Sequence, residues 1–371
     1  MQKELLDQLE TPCIVIDMAR TEKNVIRMQA EADAAGCRLR PHIKTHKMPL
    51  FTRMQLAHGA AGITCAKVSE AEVMADGGAE DIFIAYPMVG DFRIKRAIAL
   101  AGRLKRLILA VDSMECAVPL NEAAKAAGIT LEVRLEVDTG AKRTGVQRTK
   151  AAELAKEVYQ LSNLNLTGIY TFKSLVYHDE PTEDKVIAGA EEGDMMEAIA
   201  EEIRKAGVPI AEISAGSTPT GVEVAKTGKV DVIRPGTYIF KDHMLCKEGA
   251  AEPEDIAVRI YATVVSTPCR EYAVIDGGTK TFPMDILLDT APYYYPGYAL
   301  VAGNDDLQLR RMNEEHGIIT SRKGDTGLKV GDKVELIPIH VCTAINMQNK
   351  VYLYDGETLR QEVVAARGML V

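Results

Sequence analysis

The chain has 371 residues, 47% hydrophobic and 26% charged, the profile of a folded globular protein and not a disordered one. A net charge of −9 argues against nucleic acid as a partner. No apolar run approaches the ~18 residues of a membrane span, which excludes one. Seven cysteines, an odd count with no CxxC pair, point to a reducing, cytoplasmic setting, and the N-terminal MQKELLDQLETP has three acids and no apolar run, unlike a signal peptide. The length suits one large domain plus a smaller one.

Between residues 38 and 236, β-type runs alternate with helical ones. RLRPHIK (38–44), GITCAK (62–67), DIFIAY (81–86), RLILAVD (106–112), LEVRLEVD (131–138), LTGIYTF (166–172), EISAG (212–216) and VDVIRPG (230–236) read as eight strands. Several are nearly continuous in Ile, Val and Leu, as strands buried on both faces of a parallel sheet must be. The helices between them carry end signals. Ser69 and Glu72 form an S-x-x-E box before a 70–77 helix, an Ala-rich 115–127 helix stops at Gly128, and a 184–206 helix ends in Arg204-Lys205 before Gly207. This pattern predicts a (β/α)8 barrel over residues 18–250, with a doubly wound sheet as runner-up. After residue 255 the texture becomes β-type, in IAVRIYATVVST, EYAVID, KVELIPIHVC and KVYLYDG, with turn pairs between them and no strong helix signal. We expect a mostly β domain over 251–371, joined by the early strand at 10–17.

Barrel enzymes place chemistry at the C-terminal ends of their strands. There Lys44, in RPHIKTHK, either snorkels to the rim or lowers its pKa by desolvation and becomes an amine nucleophile. SAGSTPT (214–220) and RPGTY (234–238) follow strands 7 and 8, where barrels commonly hold phosphate on glycine amides and hydroxyls. In PIHVCT, His340 and Cys342 stand two apart in a β-type run and so on one face, a spacing open to a shared Zn²⁺ or to a buried cysteine beside a hydrogen-bonded histidine.

Taken in order, TPCIVID, RPHIKTHK, AKVSEAEVMADGGAEDIFIAYP, EVDTGAKRTGV, SAGSTPT, RPGTYIF, IDGGTK, EEHG and IPIHVCT resemble the fold-type III pyridoxal phosphate (PLP) enzymes. More closely they resemble the D-threonine aldolase and D-serine dehydratase family, with an alanine-racemase-like barrel. The resemblance implies that Lys44 carries PLP covalently and that Arg143 reaches its phenolic oxygen. It also implies that Gly216, Ser217, Thr218, Gly236 and Thr237 hold the phosphate, with Tyr238 and Tyr177 lining the site. It assigns His340 and Cys342 to a divalent metal (Zn, Mn or Mg) near the substrate's β-hydroxyl, and it implies a homodimer.

One departure stands out. Where relatives show a histidine-bearing run after strand 6, this chain reads GIYTFKSLVY, with Phe172, Ser174 and Leu175 at the key positions. Lys173 is an available substitute acid or base, with His178 just beyond. His316, in EEHG, is a substrate-side candidate; His42, His46 and His243 are weaker ones, and His58 looks like a helix end. The expected activity is PLP- and metal-dependent cleavage of β-hydroxy-D-amino acids to glycine and an aldehyde. A D-serine or 3-hydroxyaspartate dehydratase is the nearest rival, ahead of a racemase or a PLP-binding protein without turnover.

Overall fold

All eight β-type runs of the first part of the chain form strands in the computed structural model, which describes residues 2–371. They are Arg38–Leu39, Ile63–Cys65, Asp81–Pro87, Arg106–Val111, Leu131–Asp138, Leu164–Tyr170, Glu212–Ala215 and Val232–Ile233, each paired in parallel with its neighbour. The ring closes between its first two members. Ala61 N–H donates to Leu39 and Thr64 N–H to Pro41, both at 2.8 Å, and His42 bridges Thr64. A closed sheet excludes the doubly wound alternative.

The barrel interior is mixed. Phe83, Ile108, Ala110 and Tyr170 form an apolar cluster, and the guanidiniums of Arg134 and Arg234 lie 5.1 and 6.0 Å from the Phe83 ring centre. Near the strand starts, Arg40 pairs with Asp81, Arg106 grips Glu132 with two bonds of 2.8 and 2.7 Å, and Glu212 takes both Arg38 and Arg134. These ions are paired because an unpaired charge in such a place would be prohibitively costly.

Two helix ends behave as read. Gly128 and Gly207 sit at φ +66° and +90°, and the residues after them return hydrogen bonds into the last turns of Met114–Ala126 and Lys185–Lys205. The capping box does not form. The Val68–Asp76 helix starts earlier, its Glu70 accepts from Ala66 N–H, Ser69 donates to the Val371 carbonyl, and Glu72 pairs with Arg96.

The other unit collects the segment through Asn24, Thr45–Lys47 and Ile239–Gly368. Six of its strands close a second ring in the order Val258–Ser266, Tyr272–Ile275, Gly317–Ser321, Leu307–Met312, Ala299–Val301 and Lys333–Pro338. The early strand Cys13–Asp17 pairs antiparallel with Val258–Ser266 and parallel with Lys350–Tyr354, which in turn pairs with Leu359–Val363. The segment around His340 corrects the sequence reading. The β-run stops at Pro338, and Val341–Met347 is a helix with His340 at its N-cap position. No described helix is long and apolar enough to cross a membrane.

Candidate active site

In the barrel unit, the first strand gives way after two residues to a short 3-10 turn, Ile43–Thr45, which carries Lys44. Lys44 is half-buried; its amide donates to His42 Nδ1 at 3.3 Å and its ammonium stands 5.8 Å from the Phe172 ring centre. The Arg143 guanidinium lies over the same ring at 4.5 Å. So Phe172, the residue that departs from the family pattern, touches both cations assigned to the cofactor. Glu136 is buried and accepts from Thr144 Oγ1 at 2.8 Å; burial raises its pKa, against the pull of Thr144, Tyr170 and Arg143.

The loops after strands 7 and 8 meet through side chain and backbone. Thr218 Oγ1 accepts from the amides of Gly236 (3.1 Å) and Tyr238 (3.3 Å), and Ser217 Oγ lies 3.2 Å from Thr220 Oγ1. Gly216 has φ +81°, and a Cβ there would come within 2.8 Å of Gly221 Cα, so no other residue fits. Thr237 opens a 3-10 turn, Thr237–Ile239. Tyr238 contributes its backbone to this cluster, but its ring is buried and its hydroxyl accepts from Gln55 at 3.0 Å. A primary amine, a guanidinium and a hydroxyl- and glycine-rich loop pair on one barrel rim are the groups PLP requires, and they fit it.

Two candidates from the 172–178 segment are committed elsewhere. Lys173 is almost fully buried and ion-paired with Glu191, which also accepts from the His178 amide and side chain. Tyr177 and His178 belong to a tight hairpin in which Tyr177 pairs with Glu180; His178 and Asp179 form its tip at φ +52° and +63°. The Tyr177 ring packs on His178 at 3.9 Å between centres.

In the β unit, His340 Nδ1 is bonded to Asp285 Oδ2 at 2.6 Å, and Thr343 Oγ1 donates to the same oxygen at 3.0 Å. The imidazole also bonds the Cys342 side chain, whose Sγ is 3.2 Å from Thr45 Oγ1. Burial alone would lower the His340 pKa, but Asp285 and Cys342 outweigh it and lift it to about 11. Asp242, pushed up to about 6 by burial, accepts from the Val341 and Leu245 amides and so fixes the start of the His340 helix. A carboxylate–imidazole pair beside a thiol fits a metal: the carboxylate fixes the ring, and nitrogen and sulfur suit Zn²⁺. Among the described residues no group of three or more His, Cys, Asp and Glu side chains is placed to hold a metal ion together, and His340 and Cys342 are the two donors this site offers. Asp285 was missed in the sequence, since an aspartate in an irregular segment 55 residues away carries no signal.

His316 is exposed at the turn between Leu307–Met312 and Gly317–Ser321, its carbonyl accepting from Asn313 N–H. The EEHG turn packs backbone to backbone on Gly277 and Gly278; a Cβ at Gly278 would lie 2.2 Å from the Asn313 carbonyl oxygen. This packing explains why IDGG and EEHG both appear. His58 caps the Pro49–Ala57 helix as expected, His46 is buried, and burial lowers the His243 pKa to about 4.

Residues 16–244 match the model described as alanine racemase, N-terminal domain, and residues 257–354 match the putative serine dehydratase domain. The chain is 33% identical to the D-threo-3-hydroxyaspartate dehydratase of Delftia sp. (strain HT23), covering 92% of this chain and 93% of that one. It is 29% identical to the D-threonine aldolase of Arthrobacter sp., covering 98% and 94%. The solved Delftia dehydratase superposes with a TM-score of 0.87 at 28% identity, covering 96% of this chain and 98% of that one. That dehydratase has also been solved as a histidine-to-alanine mutant and, in metal-free form, as a cysteine-to-alanine mutant, the two residues standing two positions apart.

Proposed function

The chain belongs to the fold-type III PLP enzymes that join an alanine-racemase-type N-terminal domain to a serine-dehydratase-type domain, and from that membership we propose that it is a metal-assisted, ammonia-releasing lyase of β-hydroxy-D-amino acids. Enzymes of this family are PLP-dependent lyases; bound PLP supplies an electron sink for the bonds at the substrate's Cα. A divalent ion held by His340 and Cys342 would supply a Lewis acid for the β-hydroxyl.

The observation that carries elimination ahead of carbon–carbon cleavage is the Lys173–Glu191 ion pair. Retro-aldol cleavage needs a base for the β-hydroxyl proton, and an ammonium locked to a carboxylate has no lone pair to offer. Phe172 and Leu175 have no proton chemistry and Ser174 is a poor base. Elimination asks less: Lys44 Nζ takes the Cα proton, the hydroxyl departs as water, and hydrolysis of the remainder gives a 2-oxo acid and ammonia. Arg143, 4.5 Å from the Phe172 ring centre, places a positive charge on the ring that Lys44 also faces. Asp285 accepts the Nδ1 proton of His340 and so leaves Nε2 for a metal. The His-x-Cys spacing supports the same reading, because the Delftia dehydratase carries its studied histidine and cysteine at that spacing.

The second reading is the D-threonine aldolase reaction, favoured by the likeness to the Arthrobacter enzyme across nearly the whole chain. A product assay decides between them. The purified protein is given D-serine, D-threonine and D-threo-3-hydroxyaspartate, with and without EDTA, and with a Lys44→Ala control. We expect equal amounts of 2-oxo acid and ammonia, both abolished by EDTA and by the substitution, which also removes the visible absorbance of covalently held PLP. Glycine with an aldehyde would overturn elimination and install the aldolase.

A further inference from the structure

The Lys185–Lys205 helix carries two adjacent acids, one half-buried and one fully buried, that reach different loops of the catalytic rim. Glu191 takes Lys173 and His178 after strand 6. Glu192, with no exposed surface, reaches the loop after strand 7: one oxygen accepts from Gly216 N–H at 3.0 Å and the other from Thr220 Oγ1 at 3.2 Å. Thr220 Oγ1 in turn faces Ser217 through both amide (3.4 Å) and hydroxyl (3.2 Å). Both Glu192 oxygens therefore end on the turn that carries Gly216, Ser217 and Thr218. Two glycines bring the helix this close. A Cβ on Gly189 would come within 2.7 Å of Glu223 Cβ, and one on Gly193 within 2.7 Å of Thr227 Oγ1, so larger residues would push away the Gly221–Lys226 segment that follows the loop.

We propose that Glu192 is the positioning residue of the phosphate cradle, pinning the 216–220 turn through the Gly216 amide and the Thr220 hydroxyl so that Ser217 and Thr218 are set for an anion. The proposal rests on the reading that this turn, with Gly236 and Thr237, holds the phosphate of PLP. Glu192 itself touches no cofactor atom in this scheme. An acid is an odd neighbour for a phosphate, and two features reconcile them. The two hydrogen bonds occupy both oxygens, and burial raises the Glu192 pKa, opposed by the Gly216 amide, by the charges of Lys173 and Arg234, and by Thr220. Glutamine can keep the contacts, with its oxygen on the Gly216 amide and its NH2 on Thr220 Oγ1, whose own proton then turns to Ser217. Aspartate is one methylene too short, and alanine leaves the Gly216 amide buried and unpaired.

The test compares PLP with pyridoxal, which has the same reactive aldehyde and no phosphate, as ligands of the full chain freed of cofactor. Affinities are read from the absorbance change on titration, without reference to turnover. The wild type is expected to prefer PLP. Glu192→Ala and Glu192→Asp should weaken PLP about tenfold or more while leaving pyridoxal within about twofold, since an unpaired buried amide is a penalty of that order. Glu192→Gln should keep the wild-type preference. If Glu192→Ala does not fold, Glu192→Asp against Glu192→Gln makes the same comparison. A wild type that prefers PLP together with Ala and Asp variants that keep the preference overturns the role of Glu192 alone. Equal losses for both ligands would make Glu192 merely structural and overturn it as well. A wild type indifferent to the phosphate overturns the cradle assignment, and the positioning role falls with it.

Discussion

At the scale of single residues, the most informative side chain is His340, because its surroundings attract positive charge whatever carries it. Asp285 on Nδ1 and Cys342 beside the ring overcome desolvation and raise the pKa to about 11. At neutral pH the ring therefore holds a proton that a metal must displace, and a coordinating Cys342 must lose its own. The sign follows: acid favours the protonated ligands, and alkali favours the metal. We expect affinity for Zn²⁺ to rise about tenfold or more per pH unit between about pH 6 and about pH 8, as one or more protons are released. Competition with a chromogenic chelator measures this directly. Asp285→Asn should lower affinity about 10- to 100-fold by losing the carboxylate that orients the ring. A pH-independent affinity, or full metal content in His340→Ala, would remove these residues from the metal site.

At the scale of elements, the barrel's strand starts hold a connected set of charges: Arg38 and Arg134 on Glu212, and Arg40 and Arg106 on Asp81 with Arg106 also on Glu132. Arg134 is wholly buried, and desolvation lowers its pKa to about 10. Removing one partner strands the other, so Glu212→Ala should cost about 3–5 kcal/mol in urea denaturation, whereas the paired change Arg134→Met with Glu212→Leu should cost far less. A double-variant loss equal to the sum of the losses of Glu212→Leu and Arg134→Met made singly would show that Glu212 and Arg134 are not energetically coupled. None of this pairing was legible in the sequence, where LEVRLEVD reads only as a buried strand. What was legible were the eight strands themselves, since strands buried on both faces leave runs such as RLILAV that survive without context. Their ends were overrun, at 38–44 and 230–236, where site residues extend the β-type texture beyond two-residue strands. The β unit was harder. Its short antiparallel strands at Ala299–Val301 and Leu307–Met312 lack a distinctive pattern, and the His340 helix was hidden by the β-branched texture of PIHVCT. The candidate site was therefore readable as residue types on loops, whereas Asp285 and Glu192, which act through space, were not.

At the scale of the whole chain, the sequence order of the two units differs from their spatial make-up. The barrel sequence is inserted into the β unit, whose strand Cys13–Asp17 is some 240 residues from its neighbour Val258–Ser266, as their numbering shows. That strand is internal to its sheet: Ile14 and Ile16 are fully buried, and it bonds to Val258–Ser266 on one edge and Lys350–Tyr354 on the other. Its loss would open two rows of backbone hydrogen bonds and uncover Leu353 and Ile260, both buried. The eight-stranded ring, in contrast, draws every strand from residues 38–233. We therefore expect a chain lacking residues 2–17 to keep a protease-resistant barrel fragment while the segment after Ile239 is rapidly degraded, as followed by limited proteolysis with mass spectrometry. The same deletion should weaken the metal binding assigned to His340 and Cys342, because Val258–Ser266, which pairs with the Lys333–Pro338 strand leading into that helix, loses its own pairing with Cys13–Asp17. Wild-type resistance in the C-terminal segment would show that the six-strand ring stands without Cys13–Asp17, and would make that strand an accessory to the β unit and not part of its foundation.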